Sequence, residues 1–144
     1  MGQYGIRTRV RVMDTPIKFE IVREGRIELD LPGPEDMVCG VATLSELDMA
    51  ASKLLANSDR GLDDGTFNRD VIDLAMMAPG RPLLQQALGK SKTAYGEDVR
   101  RDLVRSLDRL RTREGWLDRC MQSMAMTIPK AVVWQRLRNL EQKL

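Results

Sequence analysis

The sequence predicts an α+β fold, a small antiparallel or mixed N-terminal sheet followed by a helical C-terminal bundle. Two observations carry this expectation. Over residues 1–44, apolar and charged side chains alternate at a period of two, as in strands with one face covered; from Ser45 onward, apolar positions recur every three or four residues, as in amphipathic helices. A third observation bounds it: 144 residues are enough for one domain with a working core. The expected division is therefore a sheet over residues 1–44 and a helical region over residues 45–144.

The strands come first. Ile6, Val10 and Val12 interleave with Arg7, Arg9 and Arg11; Ile17, Phe19 and Ile21 interleave with Lys18, Glu20 and Arg23; Ile27, Leu29 and Leu31 interleave with Glu28 and Asp30. Glu24-Gly25 is a short turn signal, so the second and third runs are expected to form an antiparallel hairpin. Pro32-Gly33-Pro34 closes the third run, and Val38 to Leu44 is expected to be an edge strand. Ser45 is then an N-cap with Asp48 three residues on, and Leu47, Ala50, Ala51, Leu54 and Leu55 form one stripe of a helix that Gly61 ends. After a turn over Asp63 to Thr66, a second helix is expected from near Asn68 through Ala78, stopped by Pro79-Gly80. A third is expected from Pro82 to about Leu88. A long helix from near Glu97 carries Val99, Leu103, Leu107, Leu110, Leu117, Met121 and Met124, with Gly115 as a point of division, and Thr127 with Pro129 opens the last one.

Composition excludes several chemistries. The chain has no histidine and two distant cysteines, Cys39 and Cys120, which removes zinc sites, Cys-His nucleophiles and Ser-His-Asp triads; both cysteines read as small buried apolar residues. No apolar run approaches the length of a membrane span and no signal core follows Met1, so the expected setting is the cytoplasm. The net charge is +2 and is unevenly spread: the first 48 residues hold 6 basic and 9 acidic side chains, the last 48 hold 11 and 7. Arg101, Arg105 and Arg109 form a basic helix face that could meet an RNA backbone, or be a solvated face paired with Asp102 and Asp108.

The residues with chemical promise lie between 46 and 77. Lys53, Asn57 and Arg60 fall at i, i+4 and i+7 on one flank of the first helix, and Arg69, Asp70 and Asp73 share one turn of the next. Cations held beside a carboxylate pair suit a phosphorylated nucleotide, because the cations take up phosphate charge while the carboxylates orient them. The same spacing also suits a salt-bridge network that merely joins two helices. Glu20 alternates with Phe19 and Ile21, which puts it on the polar face of its strand.

A lysine-bearing helix, a short turn and then Arg-Asp-x-x-Asp-Leu, here Lys53, Arg60, Arg69, Asp70, Asp73 and Leu74, resembles the AbiEii/AbiGii nucleotidyltransferase-type toxins of the polymerase-β-like superfamily. The likeness runs over about residues 5–80 and is most specific over 46–77. It implies catalytic roles for Lys53 and Asp70, nucleotide binding by Lys53, Arg60, Arg69 and Asp73, and a metal-facing carboxylate at Glu20, preceded by Lys18 on the same strand face. It also implies Mg2+ and a nucleoside triphosphate. The family opens with a Gly-Ser turn and an Asp-x-Asp metal pair, and neither stands ahead of Glu20, where the one acid is Asp14 in the turn. The chain is thus expected to correspond to the C-terminal part of such a protein, catalytically incomplete alone, or to be a non-catalytic helical module that binds a nucleotide, RNA or a partner protein. The partners these readings leave open are a missing N-terminal half, a second copy forming a homodimer across an exposed strand edge, an antitoxin and RNA.

Overall fold

The computed structural model describes residues 5–144. Among them, β1 (Gly5–Val12) pairs antiparallel with β2 (Thr15–Val22), and a two-residue ladder joins β3 (Met37–Val38) to β4 (Val41–Ala42). The helices follow as α1 (Glu46–Arg60), α2 (Arg69–Met77), α3 (Arg81–Tyr95), α4 (Asp98–Thr112), α5 (Trp116–Ser123) and α6 (Lys130–Glu141), with a 3-10 turn at Asp64–Thr66 between α1 and α2. The architecture is α+β, and its sheets are antiparallel.

The hairpin lies one run earlier than the spacing suggested. Strands β1 and β2 meet across Met13-Asp14, both with positive φ (43° and 64°), the backbone of a tight two-residue turn whose twist matches the strands. Residues 27–31 are not a strand. Ile27 sinks into the helical core at 8% exposure, while Leu31 stays outside at 94%. The backbone N–H of Asp30 donates to the Asp48 carboxylate at 2.6 Å. Arg26 donates to Glu24, to Asp59 and to the Tyr95 hydroxyl. Side chains of the helices thus take the polar groups that a neighbouring strand would have satisfied. The expected edge strand over Val38 to Leu44 shrinks to the β3–β4 ladder, which turns at Cys39-Gly40 with positive φ at both positions (51° and 76°). That corner leaves Cys39 exposed, against expectation. Cys120 is buried, and desolvation pushes its thiol up to about 11.

Helix α1 is the centre of the bundle, in contact with α2, α3 and α4. Its start is set by Ser45, whose hydroxyl accepts from the Asp48 N–H at 3.2 Å, and its end by Gly61. A Cβ at Gly61 would come within 2.6 Å of the Asn57 Oδ1 and of Ser106 Oγ on α4, so the glycine permits the close α1–α4 approach. Ala50, Ala51, Leu54 and Leu55 are fully buried there, and Ile72, Leu84, Leu103, Leu110 and Trp116 bring the other helices to the same core. Helix α3 passes the expected stop at Leu88. Gly89 faces open space, and Ser91 folds its hydroxyl back to the Ala87 carbonyl at 2.8 Å; Gly96, at φ +63°, ends the helix. The long helix expected from Glu97 divides into α4 and α5 at Gly115, whose φ is +69°.

The hairpin β1–β2 is an amphipathic ribbon beside this bundle. Ile6, Val10, Val12, Ile17, Phe19 and Ile21 share one face and are 45–63% exposed, while Arg7, Arg9, Arg11, Lys18 and Glu20 share the other. No described helix is long and apolar enough to cross a membrane.

Candidate functional site

The flank of α1 meets the first turn of α2 in one ion network. Lys53 reaches Asp73 at 2.6 Å and Asp70 at 3.5 Å. Arg60 grips Asp70 with two donors, Nε at 2.7 Å and Nη2 at 3.0 Å, so the pair is bidentate and fixed in orientation. Both cations are half-buried, whereas the Asp70 side chain is 4% exposed. Burial alone would push the Asp70 carboxyl up. The hydrogen bonds and charge of Arg60, joined by Lys53, outweigh burial and hold it below the ordinary aspartate value. Hydrogen bonding to Asp70 in turn raises Arg60, so the pair stays ionised.

Arg69 opens α2, next to Asp70 in the chain. It is exposed and makes no ion pair among the described residues. Its charge adds slightly to the lowering of the Glu20 carboxyl on β2. Glu20 lies between Lys18 and the cross-strand Arg7, each at 3.0 Å. The Lys18 hydrogen bond is the largest cause of its lowered pKa, with Arg7 and Arg69 adding to it. The structure therefore draws together Lys53, Arg60, Asp70 and Asp73; among the described residues neither Arg69 nor Glu20 makes an ion pair with them. Asn57 does not join them: it turns inward at 2% exposure, because its helical position points toward α4.

The described residues do not by themselves fit a divalent cation. Glu20 is a single carboxylate held between two cations, and no group of three or more His, Cys, Asp or Glu able to hold a metal occurs among the described residues. A magnesium ion demands several oxygen donors in near-octahedral array.

Other polar residues escaped the sequence reading. Asp48, fully buried, binds the Lys90 ammonium on α3 as well as the Asp30 N–H. Asn68, the N-cap of α2, uses its side chain for tertiary bonds: Nδ2 donates to the Gly61 carbonyl at 2.7 Å, and Oδ1 accepts from the Trp116 indole N–H at 2.7 Å. The basic face of α4 is not one surface. Arg101 and Arg105 pair with Asp98 and Asp102 on their own helix, while Arg109 folds inward over the Trp116 ring at 5.1 Å and pairs with Asp64. Asn68 had the one local signal available, an asparagine at a helix start. Nothing near Asp48 or Trp116 in sequence points to partners more than 40 residues away.

A family model described as "Nucleotidyl transferase AbiEii toxin, Type IV TA system" matches residues 3–138. A DNA mismatch repair protein MutL of Sphingopyxis alaskensis is 30% identical over 103 residues, covering 65% of this chain and 17% of that protein. The chain thus spans a small part of that relative's length. No solved structure matches.

Proposed function

We propose that this chain, which belongs to the AbiEii nucleotidyl transferase toxin family, contributes the phosphate-handling side of a nucleotidyl transfer site. The observation that carries the reading is the pairing of two cations, Lys53 and Arg60, with two carboxylates, Asp70 and Asp73, beside the exposed Arg69 that opens α2. Asp70 and Asp73 orient Lys53 and Arg60, and Arg69 is left over to meet an anion. A nucleoside triphosphate entering there would exchange the Lys53–Asp73 contact for phosphate oxygens, while the bidentate Arg60–Asp70 pair keeps its place. Lys53 and Asp70 are the catalytic positions of the reading: Lys53 stabilises charge on the phosphates, and Asp70 holds the cations in line. Glu20 is its metal-facing carboxylate. Mg2+ belongs to the reading only when further acidic ligands join Glu20, and the 144 residues contain no Asp-x-Asp pair.

Calorimetry with each of the four nucleoside triphosphates and Mg2+ tests the proposal. Binding of at least one, weakened about tenfold or more in Lys53→Ala, is expected, a loss of about 1.4 kcal/mol. Absence of heat with all four, in wild type and variant alike, would sink it.

A second reading is favoured by the isolation of Glu20 among cations. In it the chain is a non-catalytic helical module, and nucleotide binds at the same cluster without metal-dependent turnover; labelled product formed by the purified chain would exclude it. In either reading the chain acts in the cytoplasm. An antitoxin is the partner that a type IV toxin–antitoxin family implies. The apolar face and free edges of the hairpin are the docking place for further sheet strands or a second copy. RNA finds less support, since Arg101, Arg105 and Arg109 are all paired.

A further inference from the structure

The first turn of α2 is reached through a corner that two non-glycine residues rarely adopt in succession. Phe67 (φ 53°, ψ 35°) and Asn68 (φ 48°, ψ 27°) both lie in the left-handed region immediately before Arg69 and Asp70. Such backbone persists only where its surroundings over-determine it, and it gathers at sites where placement matters. Here the surroundings come from a distant part of the chain. Trp116, the first residue of α5, stacks on Phe67 with ring centroids 5.8 Å apart and planes 17° from parallel. Its indole N–H donates to Asn68 Oδ1, and Asn68 Nδ2 ties the corner back to the Gly61 carbonyl at the end of α1. Arg113 lies over the same indole at 4.1 Å and holds Asp64, at the head of the turn, at 2.9 and 3.1 Å. Trp116 is 1% exposed and Asn68 is 2% exposed, so neither hydrogen bond competes with solvent.

We propose that Trp116 and Asn68 are positioning residues for the anion site: the indole N–H, acting through Asn68, fixes the left-handed corner that aims Asp70 and Asp73 at Lys53 and Arg60. The inference rests on the reading of that cluster as a nucleotide site for its functional meaning, though not for its geometry. Asp70 occupies the second helical residue after the corner, where a small rotation of the chain moves its carboxylate off the two-donor grip of Arg60. The grip is therefore only as well defined as residues 67 and 68. Helix α5 thus controls a site to which it contributes no charged group.

Two substitutions isolate the device. Trp116→Phe keeps a ring against Phe67 and removes the N–H; Asn68→Gly accepts the left-handed backbone freely and removes both side-chain bonds. Leu88→Ala, in the α3 core, is a control for general loosening. The readout is the carboxyl titration of Asp70 followed by carbon-detected NMR. In wild type its midpoint is expected below the ordinary aspartate value, because despite burial Arg60 and Lys53 hold the carboxylate charged. In Trp116→Phe and Asn68→Gly it is expected to rise by about one unit, a tenfold change in proton affinity, while Leu88→Ala leaves it in place. Folded Trp116→Phe and Asn68→Gly proteins with the wild-type midpoint would overturn the proposal; should one variant fail to fold, the other decides. Triphosphate affinity, measured in parallel, is expected to fall about tenfold in both. If wild type binds no triphosphate, the nucleotide reading fails and the Asp70 titration still judges the positioning claim.

Discussion

Helix α1 carries an ion network on each flank, and the two differ in their surplus. Toward α3, two cations, Lys90 and Arg26, face four carboxylates, Asp30, Asp48, Glu24 and Asp59. Toward α2, two cations, Lys53 and Arg60, face two carboxylates, Asp70 and Asp73, and Arg69, without an ion pair among the described residues, opens the helix. On the α3 side the ammonium and guanidinium are consumed in tying residues 26–30 to the bundle, and the Asp48 carboxylate is fully buried between its partners. On the α2 side Arg69 is left facing solvent and Lys53 holds a half-exposed Asp73. Charge pairing by itself does not make a site. In the proposed reading, the exposed Arg69 is the cation left for an anion.

The sharpest test of this contrast is Asp48→Ala. It removes a fully buried carboxylate, leaves the Asp30 N–H without its acceptor and leaves Lys90 only its longer contact to Asp30, and is expected to cost about 3 kcal/mol of stability in urea unfolding. Triphosphate affinity of the folded fraction should not change. Asp70→Asn comes next, at about 2 kcal/mol, because it removes a charge-assisted two-donor contact. It should also alter the acid limb. The folded-state pKa of Asp70 is depressed, so its contribution is complete above the ordinary value of 3.8 and fades as pH falls through the lower folded value; in Asp70→Asn that part of the acid transition should flatten. The opposite network has the opposite limb. The Asp48 hydrogen bond raises Lys90 above its ordinary 10.5, so its contribution is complete below that pH and is lost as pH climbs through the raised value. Lys90→Met should blunt the alkaline transition and leave the acid one alone. Smallest in stability is Arg69→Ala, expected within about 0.5 kcal/mol of wild type. Its effect belongs to binding, and a triphosphate affinity equal to wild type would remove Arg69 from the site.

The sequence alone determined the helical punctuation and the polar motif. Ser45, Gly61, Pro79-Gly80 and Gly115 mark helix ends where the structure has them, because caps, missing Cβ atoms and the proline ring act within a turn of chain. The Lys53 and Arg-Asp-x-x-Asp-Leu spacing was legible for the same reason, since positions three or four apart share a helix face. Period-two alternation in residues 27–31 misled, because no neighbouring strand covers the segment: Ile27 alone sinks into the core, while Leu29 and Leu31 stay exposed. The tertiary structure decided the rest. It set Asn57 toward α4 and Glu20 between Arg7 and Lys18, matched Asp48 to Lys90, and made Trp116 the support of Asn68. Periodicity reports which face of an element is apolar, but says nothing of which distant side chain will complete a buried polar group. That choice is made when the helices pack, and it turns a row of charges on α1 and α2 into one structural lock and one half-exposed network, the proposed anion site.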